Sequence, residues 1–441
     1  MSEGTFSQKT FLSGRELAAL FAQHPPLTNE PTPSHEQEKR EPQLRFTLET
    51  GGDRVTAPYR LREQKPCQDR GFANQRTGLI AVCDGLGSGG ASELVSEVVT
   101  DRLSALTAQE QQESFWQSFF SSDVNTQTFT PEEAVNAGRA LLEELNRVAY
   151  TTKASPAVKE RCTAVANKNH LEAFERAILK GNPHPPSLSQ AQFEKRVQEL
   201  IDCSDTTVSF AKLFQTPTGE AKILIGNVGD SRIYRRRKGT WSAISRDHGI
   251  AQTLIELGHA QDEMDDKKAI TRQTADALLA SEKDALERMP VTTGSTGAVE
   301  RILCESRVSA LKNLIGTFER HGNPPFLTLG DLNFQVFQTL GFDATTDTSH
   351  TYVLDVEEGD EYYAFTDGIF EVLIKPQLEQ VRERVSSGAL PDVCRAFHST
   401  IVELIITDPA NHKDDDMTSE ALRVSIQKRT ALPTPSAPPL E

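Results

Sequence analysis

The chain of 441 residues has no excess of base: 47 Lys and Arg stand against 63 Asp and Glu, for a net charge of −16. Sequence-independent nucleic-acid binding needs clustered bases to neutralise phosphates, so that class is set aside. No apolar run approaches the ~18–20 residues of a membrane span. Met1 to Leu20 lacks the basic-then-apolar order of a signal peptide. The six cysteines are scattered without a C-x-x-C pair, which fits reduced thiols in an intracellular compartment. None of the ten histidines shows paired ligand spacing, which argues against zinc. We therefore expect a cytoplasmic protein without a membrane span, with export by a route that needs no signal peptide left open.

What is present centres on Leu79 to Ser96, LIAVCDGLGSGGASELVS. The apolar run Leu79 to Cys83 reads as a buried strand. It stops at Asp84-Gly85, and a helical pattern begins near Ala91. An acid at the end of a buried strand, beside glycine, suits a metal or phosphate site. Gly85, Gly87 and Gly90 also match the G-x-G-x-x-G spacing of dinucleotide binding. Against that, Asp84 would set a carboxylate beside the pyrophosphate, and no second strand with a terminal acid follows. The Lys-Ser/Thr ending of a Walker loop is absent. Asp-Gly is also an ordinary turn signal, and alone this stretch fits a turn as well as a site.

Elsewhere the apolar segments are closely spaced. Thr206 to Phe214 and Ala221 to Val228 read as strands about a turn at Pro217 to Glu220, followed by Ile233-Tyr234 and Trp241 to Ser245. Leu44 to Leu48, Tyr352 to Val356, Glu361 to Phe365 and Ala421 to Ile426 complete the set. Such spacing indicates antiparallel pairing rather than strand–helix–strand units. Thr130-Pro131-Glu132-Glu133 predicts a capped helix start, Gly258 a helix stop, and Leu61 to Asn74 a polar loop. Four times an apolar strand meets an Asp: at Asp84, Asp230, Asp367 and Asp414 to Asp416. Clustered carboxylates repel unless a cation neutralises them. Oxygen-only ligands of this kind suit Mg²⁺ or Mn²⁺.

The ordered set Gln68-Asp69, AVCDGLGSGG (81–90), DTTVSF (205–210), GNVGDSRIYR (226–235), SRDHG (245–249), YYAFTDGIFEVL (362–373) and DDMT (415–418) resembles the metal-dependent protein phosphatases of type 2C, the PPM family, in its bacterial branch. The resemblance spans about residues 44–427. It implies an α+β fold: a four-layer αββα sandwich of two antiparallel sheets flanked by helices. It implies a protein serine/threonine phosphatase that hydrolyses phosphoserine and phosphothreonine with a metal-activated water at a binuclear Mn²⁺ or Mg²⁺ centre. Asp84 would bridge the two ions with the Gly85 carbonyl beside it. Asp367 and Asp415 would complete the first ion's ligands, Gln68 and Asp69 would hold waters in the outer shell, and Asp230 would serve a third ion. The partner would be a phosphoprotein, and the chain a monomer. A silent, phosphoprotein-binding scaffold of the same fold is the alternative.

Three departures from the family pattern stand out. Leu86 replaces a histidine common in eukaryotic members. Asp416 stands where asparagine is common. Gln64 occupies the position of the usual phosphate-binding arginine, which leaves Arg62 and Lys65 as the candidate phosphate-binding residues. The expected organisation is a flexible arm at 1–42 holding a short helix near Gly14 to Ala22, a catalytic domain at 43–428, and a disordered tail at 429–441. Helical insertions are expected at about 107–200 and 259–345, the second of them shaping substrate access.

Overall fold

The computed structural model describes residues 44–63, 65–86, 90–108, 114–180, 188–259, 269–289, 295–328, 339–341, 350–385, 388–408 and 415–428. The expected arm, its helix and the tail lie outside these residues, as do Gln64, Gly87 and Asp414.

The apolar segments pair into two five-stranded sheets. One runs β1 (Leu44–Val55), β14 (Met417–Lys428), β13 (Glu361–Phe365), β8 (Arg232–Arg237) and β9 (Thr240–Ala243). The other runs β12 (Thr351–Asp355), β7 (Ala221–Val228), β6 (Val208–Gln215), β3 (Leu79–Cys83) and β2 (Arg70–Asn74). Every pairing within them is antiparallel. Two short ribbons join β4 (Gly85–Leu86) to β5 (Asp205–Thr206), and β10 (Ala269–Ile270) to β11 (Leu327–Thr328).

Side-chain alternation sets the layers. In β3, Ile80 and Val82 join Phe46, Leu48, Ile225, Tyr362 and Leu422 in a core between the sheets. Leu79, Ala81 and Cys83 point the other way, under helices Ser92–Ala108, Phe115–Ser121 and Pro131–Lys153. With both faces buried, β3 has no polar position, which is why it reads as an unbroken apolar run. On the far side, Tyr234, Trp241, Tyr363 and Phe365 pack against helices Lys375–Arg384 and Leu390–Thr407. The result is a four-layer αββα sandwich, the expected fold.

Helix Pro131–Lys153 starts as its sequence predicts: the Thr130 side chain accepts from the Glu133 amide, and Glu133 accepts from the Thr130 amide at 2.7 Å. Leu61 to Asn74 is not a continuous loop. It holds the end of helix Pro58–Arg62 and all of β2. β2 is an edge strand, half-buried along its length, so it needs no apolar alternation to be held by its partner β3. Between 259 and 345, helices Arg272–Arg288 and Ser295–Arg320 contribute Ala275, Leu311, Leu314 and Phe318 to a separate small core with Ile250 and Leu254.

One buried charge sits in the middle of β6. Lys212 is 1% exposed; its Nζ donates to the carbonyls of Thr77 at 2.5 Å and Leu213 at 3.0 Å. Burial brings its pKa down to about 7. Between that value and the ordinary lysine range the unfolded chain binds the extra proton, so this residue makes stability rise with pH over that window. Lys212→Met is expected to remove this slope and to raise the melting temperature at pH 6 to 7, with the gain fading towards pH 10. Thermal melts of both proteins across pH 6 to 10 check this; parallel curves would contradict it.

Candidate active site

Strand register brings the predicted acids to one end of the sandwich. The β2–β3 ladder ends with Arg70 opposite Cys83, so the next residues outward, Asp69 and Asp84, face each other. The β13–β8 ladder ends with Phe365 opposite Arg232, and Asp367 and Asp230 lie just beyond. β13 also pairs with β14, whose N-terminal end follows Asp415 and Asp416.

The backbone around Asp84 is pinned by threonines. Its carbonyl accepts from the Thr207 amide at 2.8 Å and from Thr206 Oγ1 at 2.9 Å. Its amide donates to Thr207 Oγ1 at 3.1 Å, and that hydroxyl lies 2.7 Å from Ser231 Oγ. The side chain is left to face the other acids. Burial, then the charges of Asp69, Asp367, Asp415 and Asp230, push the Asp84 carboxyl well above the usual carboxylate range. Asp69 is pushed up in the same way, by burial first and Asp416 next, against hydrogen bonds from Thr366 and Asp84 that favour its ionised form. All five acids named in the sequence therefore interact around Asp84. Among the described residues, no group of three or more His, Cys, Asp or Glu side chains is already set in ion-holding geometry.

The Asp-Gly pairs have a steric cause. A Cβ on Gly368 would stand 2.1 Å from the Asp416 carbonyl oxygen, and one on Gly85 would stand 2.9 Å from the carbonyl oxygens of Gln68 and Ser92. Only glycine lets these loops close on one another. Gly229, before Asp230, has φ +105, and a Cβ there would meet Thr207 Cγ2 at 2.5 Å. The SRDHG motif holds this turn: the Gly229 amide donates to His248 Nδ1 at 3.2 Å, and the Asp247 carboxylate accepts from Arg232 Nε at 2.8 Å.

Asp416 is a latch. It is 2% exposed, and its carboxylate accepts from the amides of Ala57 at 2.8 Å and Gln68 at 2.7 Å. Its Oδ2 lies 3.0 Å from Arg60 Nε. Arg60 also donates to the side-chain oxygen of the buried Gln68. Thus helix Pro58–Arg62 is fastened to the site by its preceding amide and by Arg60. Arg62 is exposed on that helix. Lys65 pairs with the exposed Glu63 at 2.5 Å. The structure gathers Asp84, Asp69, Asp367, Asp415 and Asp230 with Gln68 and Gly85, and sets Arg60 against Asp416 and Gln68. The sequence offered one signal for Arg60, the bases at 60, 62 and 65 that shortly precede Gln68-Asp69.

The donor set suits a hard divalent cation. It is all oxygen, and buried Asp69 Oδ2 has no hydrogen-bond partner.

Residues 57–393 match the sequence model of the protein phosphatase 2C family. None of the curated protein sequences matches the chain. Among solved structures, PppA, described as a key regulatory component of T6SS in Pseudomonas aeruginosa, is 16% identical, covering 86% of this chain and 100% of that one with a TM-score of 0.43. The serine/threonine phosphatase Stp1 from Staphylococcus aureus is 14% identical over 88% and 99%, with a TM-score of 0.47. The Mycobacterium tuberculosis serine/threonine phosphatase PstP/Ppp is 14% identical over 87% and 99%, with a TM-score of 0.42.

Proposed function

The chain belongs to the protein phosphatase 2C family, and from that premise we propose that it is an active, metal-dependent phosphatase of phosphoserine and phosphothreonine in proteins. The observation that carries this reading is the convergence on buried Asp84 of four acids placed just beyond the ends of separate strands. Asp84, Asp367 and Asp415 would hold Mn²⁺ or Mg²⁺ with the Gly85 carbonyl, Asp69 and Gln68 standing behind them and Asp230 serving a third ion. Bound there, the ions would supply Lewis acidity that activates water and neutralises the phosphoryl oxygens.

The chain's own residues have distinct tasks. Thr206 and Thr207 fix the Asp84 backbone, so its carboxylate is presented without a search through rotamers of the loop. Asp416 holds the loop carrying Gln68 and Asp69 at its distance from Asp84. Arg60 is the positioned cation beside Gln68, and its remaining N–H groups suit a phosphate oxygen.

Phosphate release from a phosphothreonine peptide, with and without Mn²⁺, tests the reading. Release that depends on Mn²⁺ and stops with a chelator is expected; none under either condition would favour the silent scaffold. Arg60→Ala is expected to lower kcat/KM by about a hundredfold, the scale of a charge-assisted phosphate contact. Arg62→Ala and Lys65→Ala should change it less than threefold. A larger loss in Arg62→Ala than in Arg60→Ala would return the phosphate-binding role to Arg62.

A further inference from the structure

A groove of about 650 Å³ lies beside the site. Leu61, Pro66 and Leu94 line it beside the charged residues Lys65, Arg70, Glu93, Glu97 and Arg161, and Leu61 is 63% exposed. Leu61 follows Arg60 on helix Pro58–Arg62, and Pro66 precedes the loop of Gln68 and Asp69. Leu94 lies in the first turns of helix Ser92–Ala108, which starts just beyond the Asp84-Gly85 loop. That helix is tied to the site by Ser96 Oγ, which donates to the Gln68 carbonyl at 2.5 Å. The far wall comes from the first insertion: Arg161, on helix Pro156–Leu179, pairs with Glu93 at 2.6 Å. Leu94 packs against Val158 and Cys162 of the same helix.

We infer that this groove receives an apolar side chain flanking the phosphorylated residue, and so sets the sequence preference of the enzyme. The inference rests on the phosphatase reading, because it makes the groove a continuation of the catalytic centre. The charge pattern selects the occupant. Each basic residue that lines the groove already has an acidic partner: Arg161 pairs with Glu93, Arg70 with Glu97 at 3.3 Å and Lys65 with Glu63 at 2.5 Å. A charged substrate side chain would have to compete with a partner already in place, whereas an apolar one covers Leu61 and Leu94 and leaves these pairs intact. Leu61 thus presents an exposed apolar side chain one residue from Arg60.

The test is a panel of phosphothreonine peptides with Leu, Ala, Asp or Lys at each position next to the phosphothreonine, read as kcat and KM separately. p-Nitrophenyl phosphate, too small to reach the groove, reports the chemistry. The wild-type protein is expected to prefer Leu at one flanking position by about tenfold, chiefly in KM, the scale of one good apolar contact. Leu61→Asp should erase the preference and leave p-nitrophenyl phosphate turnover unchanged. Leu94→Ala should reduce it from the other side of the groove, which guards against an effect confined to the short helix. No preference in the wild-type protein, or a preference that survives both substitutions, would overturn the inference while leaving the phosphatase reading intact. Loss of a dimer in Leu61→Asp with peptide preference unchanged would assign the groove to a second copy of the chain and overturn it too. No turnover of either substrate class with Mn²⁺ would reject the phosphatase reading, and the groove's role with it.

Discussion

Asp84→Asn is expected to cut phosphate release from a phosphothreonine peptide by at least about a thousandfold and, at the same time, to raise the melting temperature of the metal-free protein. Both effects have one cause. The Asp84 carboxyl is buried and faces the charges of Asp69, Asp367, Asp415 and Asp230. Removing its charge relieves repulsion in the protein alone, but deletes the central ligand for the cations that would offset that repulsion. Metal centres of this kind contribute several kcal/mol to the transition state, which corresponds to three decades or more in rate. The fold should survive, because the hydrogen bonds that fix this residue to Thr206 and Thr207 use main-chain atoms. Asp367→Asn should behave alike. Enzyme assays with Mn²⁺ and thermal melts in chelator measure the two arms. A variant with full activity, or one that is inactive because it is unfolded, would contradict this account.

The second large effect is on stability. Asp416→Ala leaves the amides of Ala57 and Gln68 without their shared acceptor, and the Arg60 guanidinium without its ion-pair partner, in a buried site. Removing one member of such a network costs about 3–5 kcal/mol. Asp416→Asn keeps one acceptor oxygen in place and loses the charge, so a cost of about 1–2 kcal/mol is expected. Urea denaturation of the three proteins separates these values. The Ala variant should also lose activity before it unfolds, since the loop of Gln68 and Asp69 and the helix carrying Arg60 are released together. A cost below about 1 kcal/mol for the Ala variant would show that Asp416 is not the latch.

The acids were legible because each ends or begins a strand whose sequence is otherwise apolar. Asp84 follows five buried residues and Asp367 follows a strand with none exposed, so the break in pattern is sharp. Strand order was less legible. β1 and β14 lie side by side although they come from opposite ends of the described chain, a pairing that no local pattern announces. Helix Pro58–Arg62 was hidden in a polar stretch because its anchor, Asp416, is 359 residues from Ala57 in sequence. For the same reason the sequence does not announce the contacts of Arg60 with Gln68 and Asp416. Asp416 itself looked like an irregular version of the family motif, and its role emerges only from the amides it holds. Lys212 was invisible within a strand of β-branched and aromatic residues, since one long polar side chain can reach buried carbonyls without disturbing the pattern around it. The Asp-Gly repeats read equally well as turns; the packing of Gly368 against Asp416 explains them by steric exclusion.

The account depends on separate acids forming one cation site, and calorimetric titration of the metal-free protein with Mn²⁺ tests that most directly. We predict two ions bound per wild-type chain and loss of tight binding in both Asp84→Asn and Asp367→Asn. Equal binding by the wild-type protein and both variants, or no binding by any of them, would contradict it.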